Sequence, residues 1–206
     1  MILNTQHLPV VWRNEMRIGL LGGTFDPPHL GHLHMAELAL ESGEVDFVMW
    51  VPTLIYHSYK NPEEWVDRYY MCYEMIKDKN NMVMSDIELN ANDADMTEHV
   101  LRRLNKWNGR HSFRYILGAD IYWEREKWSN FEEIGRLAPP LWINRPGAKS
   151  LPVPYLEGQM DVSSSEIRNI LKLLGTEKIT KEKMDYLFKY IHPRVLAYIT
   201  DEKLYK

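Results

Sequence analysis

From residue 17 onward, short apolar runs alternate with stretches of helical spacing, and that alternation narrows the possible folds more than any other feature of the chain. RIGLLG at 17–22 is the first run, broken by Gly22 and Gly23; the segment 31–41 then sets Leu33, Ala36 and Leu40 at helical spacing. DFVMWVP at 46–52 carries its apolar residues without polar alternation and stops at a proline, as a strand buried on both faces does. Residues 62–77 read as the next helix, with Pro62 near its first position and Glu63 and Glu64 in its first turn. MVMSDIEL at 82–89 suits a strand, 96–107 a helix, and FRYILG at 113–118 and PLWINRPG at 140–147 two more strands. Strand and helix in turn imply an α/β fold, a doubly wound parallel sheet with ligands at the carboxyl ends of its strands.

The 206 residues, 45% of them hydrophobic, suffice for one core. The expected organisation is an N-terminal extension over 1–16 and a single domain over 17–206, with a small C-terminal helical part from about residue 160. A net charge of -4 argues against a duplex nucleic-acid partner, which selects a basic face. Cys72 is the only cysteine, so no internal disulfide forms. No apolar stretch approaches the roughly 18 residues of a membrane span. The first sixteen residues hold one basic residue and no long apolar segment, so no signal peptide is expected. A soluble, cytoplasmic protein follows.

Residues 17–34, RIGLLGGTFDPPHLGHLH, combine a strand, a glycine turn and a helix mouth carrying His29 and His32. Backbone N–H groups at a helix N-terminus favour an anion, and glycines let it approach the main chain, so a phosphate-bearing ligand fits. No Gly-Lys-Ser or Gly-Lys-Thr follows, and the GxGxxG fingerprint is absent. Two other readings stay open: a helix cap with one packed histidine, and a zinc pair aided by Asp26, although His34, His57 and Cys72 lack ligand spacing. Ser163 and Ser164 precede an amphipathic helix and suit an N-cap, with Glu166 in the first turn. Asp120, just past a strand end, can accept ribose hydroxyls or cap the next helix. Lys60 and Arg68 are cations near the second strand's end, the kind more often solvated than functional.

GGTFDPPHLGH resembles the signature of the nucleotidylyltransferase superfamily, in the form carried by bacterial nicotinate mononucleotide adenylyltransferases. VSSSEIR at 162–168 is similar to the second signature, ILGAD at 116–120 with Trp128 to the family's Gly-x-Asp and downstream Trp, and INRPG at 143–147 to its Arg-Pro-Gly. The ending HPRVLAYITDEKLYK is similar to its closing helix, so the likeness runs in order from about residue 17 to 206. The resemblance implies a Rossmann-like nucleotidylyltransferase fold and adenylyl transfer from ATP to nicotinate mononucleotide, yielding nicotinate adenine dinucleotide and pyrophosphate, a step of NAD biosynthesis. In such a reaction the mononucleotide phosphate attacks the α-phosphorus of ATP in line, and the protein positions and neutralises charge.

The resemblance further implies roles residue by residue. His29, His32 and Arg168 would be the catalytic groups on the ATP phosphates. Gly22, Gly23, Thr24, Phe25, Gly118, Asp120, Arg145, Ser163 and Ser164 would complete the ATP site. Thr24, Lys60, Thr97 and Trp128 would meet the mononucleotide, with Trp128 stacked on its pyridine ring. Arg68, three residues before Met71, would match a further family arginine. Mg²⁺ would arrive bridging the ATP phosphates, with no dedicated protein cage. A helix N-terminus lowers an imidazole pKa and a polyphosphate raises it, so protonation of the histidines would await ATP. The chain departs from the family at Tyr56-His57-Ser58-Tyr59-Lys60, where Pro-Pro-His-Lys is usual, and at Asp95-Met96-Thr97, where Ser-Tyr-Thr is common. Both lie near the expected pyridine pocket, which leaves nicotinamide mononucleotide or phosphopantetheine open as acceptors. A catalytically silent nucleotide-binding module and a histidine-based metal hydrolase are readings of other classes; His29, His32 and Arg168, all present, weigh toward transfer.

Overall fold

Six strands form one sheet in the computed structural model, which describes residues 15–54, 62–90, 97–107, 110–128, 130–158 and 160–206. They are β1 (Arg17–Gly23), β2 (Phe47–Pro52), β3 (Met82–Met84), β4 (Ser112–Gly118), β5 (Pro140–Asn144) and β6 (Tyr155–Glu157), in the spatial order β3-β2-β1-β4-β5-β6. Every neighbouring pair is parallel, as the alternation predicts. The order reverses between β1 and β4, and the crevice beyond their carboxyl ends is where such a sheet takes a ligand. Both the glycine loop after β1 and Gly118-Ala119-Asp120 after β4 fall there.

Each central strand feeds two cores. On β2, Phe47, Met49 and Val51 join one apolar layer and Val48 and Trp50 the other; on β4, Phe113, Tyr115 and Leu117 oppose Ile116 in the same way. The first layer lies under α3 (Thr97–Trp107) and α5 (Phe131–Leu137), with the short α4 (Ala119–Glu124) beside β5. The second lies under α1 (Leu30–Glu41), α2 (Trp65–Ile76) and the C-terminal α6 (Ser164–Leu171), α7 (Lys181–Tyr190) and α8 (Pro193–Asp201). Among the described residues no helix is long and apolar enough to cross a membrane.

Three segments depart from the expected pattern. MVMSDIEL leaves the sheet after Met84, because Ser85 Oγ accepts the Ile87 N–H at 3.3 Å and turns the chain into a 3-10 helix over Ile87–Asn90. The second helix starts at Trp65, not near Pro62: the Glu63 N–H is committed to Asp26 Oδ1 at 3.2 Å, and Glu64 is the N-cap. PLWINRPG ends as a strand at Asn144, whose side chain accepts the Arg145 N–H at 3.0 Å and donates to the Lys149 carbonyl at 3.2 Å, closing a turn. The short β6 and α5 went unread in the sequence; α4 was read only as the helix next to Asp120, and α7 only as part of the C-terminal helical stretch.

Arg68 is not the solvated surface cation that its type more often is. Its side chain is buried, 2% exposed, and donates from Nε to the Glu63 carbonyl (2.9 Å), and from its two terminal nitrogens to the Thr24 (2.6 Å) and Thr53 (2.8 Å) carbonyls. It therefore bolts α2 to the glycine loop and to the end of β2. Replacing it with leucine keeps much of the packing but strips three part-buried carbonyls of their donor. Because an unmet buried polar group costs about 1–3 kcal/mol, Arg68→Leu is expected to lose about 3 kcal/mol or more of stability. The measurement is the shift in urea midpoint at unchanged m-value.

Candidate functional site

The carboxyl ends of β1 and β4 open onto a cleft of about 1050 Å³. Its floor is the glycine loop. Phe25 sits there with φ of 51°, a left-handed conformation that costs a bulky residue about 1–2 kcal/mol and persists only where packing demands it. The demand is visible: the buried Phe25 ring lies on Trp50 (centroids 5.2 Å apart) and meets the edge of His32 at 5.0 Å.

His29 is the N-cap of α1, and its backbone N–H donates to His32 Nδ1 at 3.2 Å. That bond makes Nδ1 an acceptor, so neutral His32 carries its proton on Nε2 and can donate from there. The two imidazoles stack at 3.7 Å. Burial, followed by the nearby Arg145 cation, lowers the His29 pKa to about 4; burial and then His29 hold His32 well below its ordinary value. Both are thus neutral near pH 7, with desolvation rather than the helix end as the principal cause. Gly31 lets the second motif close over them: a Cβ there would lie 2.6 Å from Val162 Cγ1 and 3.0 Å from His29 Nδ1. His29 Nδ1 is buried without a hydrogen-bond partner.

The second motif forms the facing wall. Ser163 is the N-cap of α6, accepting the Glu166 N–H at 3.2 Å, and does not line the cleft. Ser164 does, and its hydroxyl donates to the Pro27 carbonyl at 2.9 Å. Arg168, one residue beyond the first turn, pairs with Asp26 Oδ2 at 3.3 Å, donates to the Asp26 carbonyl from the same nitrogen, and donates to Ser165 Oγ at 3.0 Å from the other.

On the third side Gly118 is the N-cap of α4, so Asp120, its second residue, is not the cap. Asp120 pairs with Arg145 at 3.1 Å, and Arg145 also pairs with Asp161 at 2.7 Å. Trp128 stands edge-on to Tyr115 and to Phe131, each at 6.1 Å, and Thr97 hydrogen-bonds the Tyr115 hydroxyl. Gly22, Gly23, Thr24, Phe25, His29, His32, Thr97, Gly118, Asp120, Trp128, Arg145, Ser164 and Arg168 thus all border one cleft. Lys60 and both departures from the family's loops, apart from Thr97, lie outside the described residues. Among the described residues no three His, Cys, Asp or Glu side chains gather to hold a metal ion.

Two cleft residues escaped the sequence reading. Tyr115 looked like any apolar-face strand residue. Glu88 fell within a supposed strand, yet the 3-10 turn buries it at 8% exposure, with Oε2 accepting the Leu54 N–H at 2.5 Å. Burial raises its pKa to about 7 against the pull of Leu54 and Arg68. A carboxylate between Ile87 and Leu89 was the only available signal.

The pattern of the cytidylyltransferase-like family matches residues 20–170. The chain belongs to that family. A relative from Halalkalibacterium halodurans named "Probable nicotinate-nucleotide adenylyltransferase" is 34% identical over 195 residues, 92% of this chain and 91% of its own length. One of the same name from Shouchella clausii is 34% identical over 197 residues, covering 92% and 96%. In solved structures, Plasmodium falciparum nicotinic acid mononucleotide adenylyltransferase complexed with NaAD superposes with a TM-score of 0.74 at 20% identity, covering 92% of this chain and 97% of that one. At that identity the likeness is one of cytidylyltransferase-like fold.

The cleft's buried titratable groups oppose one another in acid. Unfolded His29 takes a proton near pH 6.5 and the folded side chain only near 4, so falling pH across that window destabilises the fold. Glu88 acts in reverse: its penalty is full above about pH 7 and is relieved as pH falls toward 4.5. Glu88→Gln is expected to be more stable than wild type at pH 8 and to lose stability more steeply between pH 6.5 and 4.5, as urea denaturation across that range measures.

Proposed function

We propose that this chain is a nicotinate-nucleotide adenylyltransferase, joining the adenylyl group of ATP to the phosphate of nicotinate mononucleotide with release of pyrophosphate. The observation that carries this reading is the meeting of two distant motifs, His29 and His32 from one and Arg168 from the other, across a single cleft at the switch point of the sheet. The name borne by relatives 34% identical over nearly the whole chain supports the same reaction, and the NaAD bound by the Plasmodium falciparum enzyme supports a pyridine dinucleotide as product.

The residues fit a reaction that needs charge compensation and little covalent chemistry. Neutral His32 offers Nε2–H to a phosphate oxygen, and an arriving triphosphate favours its protonated form, so the cation would form where negative charge develops. Arg168 holds the opposite side. Asp120 exchanges Arg145 for the ribose hydroxyls, leaving Arg145 beside the adenosine. Ser164 keeps the second wall fixed to Pro27, and Gly22, Gly23 and Thr24 bring backbone against the nucleotide. Thr97, Trp128 and Lys60 serve the mononucleotide. Mg²⁺, carried in on ATP, neutralises phosphate charge; the imidazoles and guanidinium offer it no ligand set of their own. A reaction of NAD supply, with one buried free cysteine, suits the cytoplasm.

Initial rates of pyrophosphate release with Mg-ATP and either nicotinate or nicotinamide mononucleotide test the acceptor. Higher kcat/KM with nicotinate is expected; turnover with neither overturns the proposal. His32→Ala should lower kcat by about 100-fold or more, as loss of a positioned charge-stabilising donor does. A change within about threefold would remove His32 from that role.

A further inference from the structure

Beyond α8 the chain makes a tight turn with Lys203 at φ 59° and Tyr205 at φ 60°, and the Leu204 N–H closes it on the Ile199 carbonyl at 3.0 Å. Two left-handed non-glycine residues in three positions are held only where surrounding contacts over-determine them. Those contacts lie at the catalytic loop. The Tyr205 ring is buried, its hydroxyl donates to Asp26 Oδ1 at 2.8 Å, and its backbone N–H donates to Glu63 Oε1 at 2.8 Å.

We propose that Tyr205 is a positioning residue for adenylyl transfer, fixing the Asp26 carboxylate so that Asp26 in turn presents the Arg168 guanidinium to the triphosphate of ATP. The proposal rests on the reading of the cleft as an ATP site. Asp26 is buried at 5% exposure, and its two oxygens divide the work: Oδ1 accepts from Tyr205 and from the Glu63 N–H, and Oδ2 faces Arg168. With Oδ1 pinned from two directions the carboxyl group cannot rotate, so Oδ2 has one place to stand. Burial and the adjacent Asp26 and Glu63 carboxylates raise the Tyr205 pKa, which keeps the hydroxyl a donor.

Arg168 can spare donors for a ligand only in this arrangement. One terminal nitrogen donates to the Asp26 carbonyl and pairs with Oδ2, and the other donates to Ser165 Oγ. Nε–H and one terminal N–H of the planar guanidinium are left for a ligand, and guanidinium donors can grip a phosphate as a fork of two bonds. Loss of the Tyr205 hydroxyl leaves Oδ1 held by the Glu63 N–H alone, lets the carboxyl group swing, and turns that fork away from the cleft.

The test is Tyr205→Phe, which removes one oxygen and keeps the ring, read by calorimetric titration with Mg-ATP and by turnover. Mg-ATP affinity and kcat/KM for ATP are expected to fall five- to tenfold while the KM for the mononucleotide stays within twofold. In an Arg168→Lys background, where the fork is already lost, the same substitution should cost less than twofold, the non-additivity of residues acting as one unit. Unchanged Mg-ATP binding in Tyr205→Phe, or an equal loss in both backgrounds, overturns the proposal, since a purely structural role would persist without the fork. Because the binding arm needs no acceptor, absent turnover with nicotinate mononucleotide overturns the acceptor assignment alone. A loss confined to Mg-ATP binding would still support the role of Tyr205.

Discussion

The Asp26 carboxylate is buried, and the architecture of the cleft is organised around compensating it. Taking such a group out of water costs several kcal/mol unless partners replace the hydration. Here they come from three remote parts of the chain: the lead-in to α2 through Glu63, the second motif through Arg168, and the turn after α8 through Tyr205. Arg68 completes the truss by binding the carbonyls of Thr24, Thr53 and Glu63. A loop rich in glycine and proline is thereby immobilised without regular secondary structure, which is the preorganisation that electrostatic catalysis requires. The same bonds explain why the left-handed Phe25 is tolerated.

The catalytic surface is set to low charge before substrate arrives. Stacked and largely desolvated, His29 and His32 stay neutral, and Arg168 and Arg145 are each paired with carboxylates. Cationic groups left bare in this cleft would repel one another and bind any passing anion. A polyanionic ligand would supply the compensating charge itself and favour the protonated imidazoles.

The sheet was legible because its central strands are buried on both faces and read as unbroken apolar runs, β2 above all. The glycine-histidine loop was legible as a strand, glycine turn and helix mouth suited to an anion, and the serine motif as an N-cap whose likeness to a family signature gave it function. What escaped depended on contacts between distant residues. Nothing in MVMSDIEL announces that Ser85 will capture the Ile87 N–H and carry Glu88 into the cleft. Arg68 looks like a surface cation until three carbonyls converge on it. Tyr205 lies 179 residues from the aspartate it holds, and no local pattern encodes that distance. The causes of the histidine shifts were likewise misjudged, because burial is a property of the assembled cleft and the helix end is a local one.

The Arg145 bridge has a bearing on how nucleotides enter. Its partners are open to water, with the Asp120 side chain 72% and the Asp161 side chain 91% exposed, and ion pairs so exposed contribute only about 0–1 kcal/mol. The bridge is therefore a latch of low strength spanning one side of the cleft, in contrast to the buried truss around Asp26. Either pair can open to an entering ligand by side-chain rotation alone, with the sheet and both motifs at rest. The cleft has a stiff end and a compliant end.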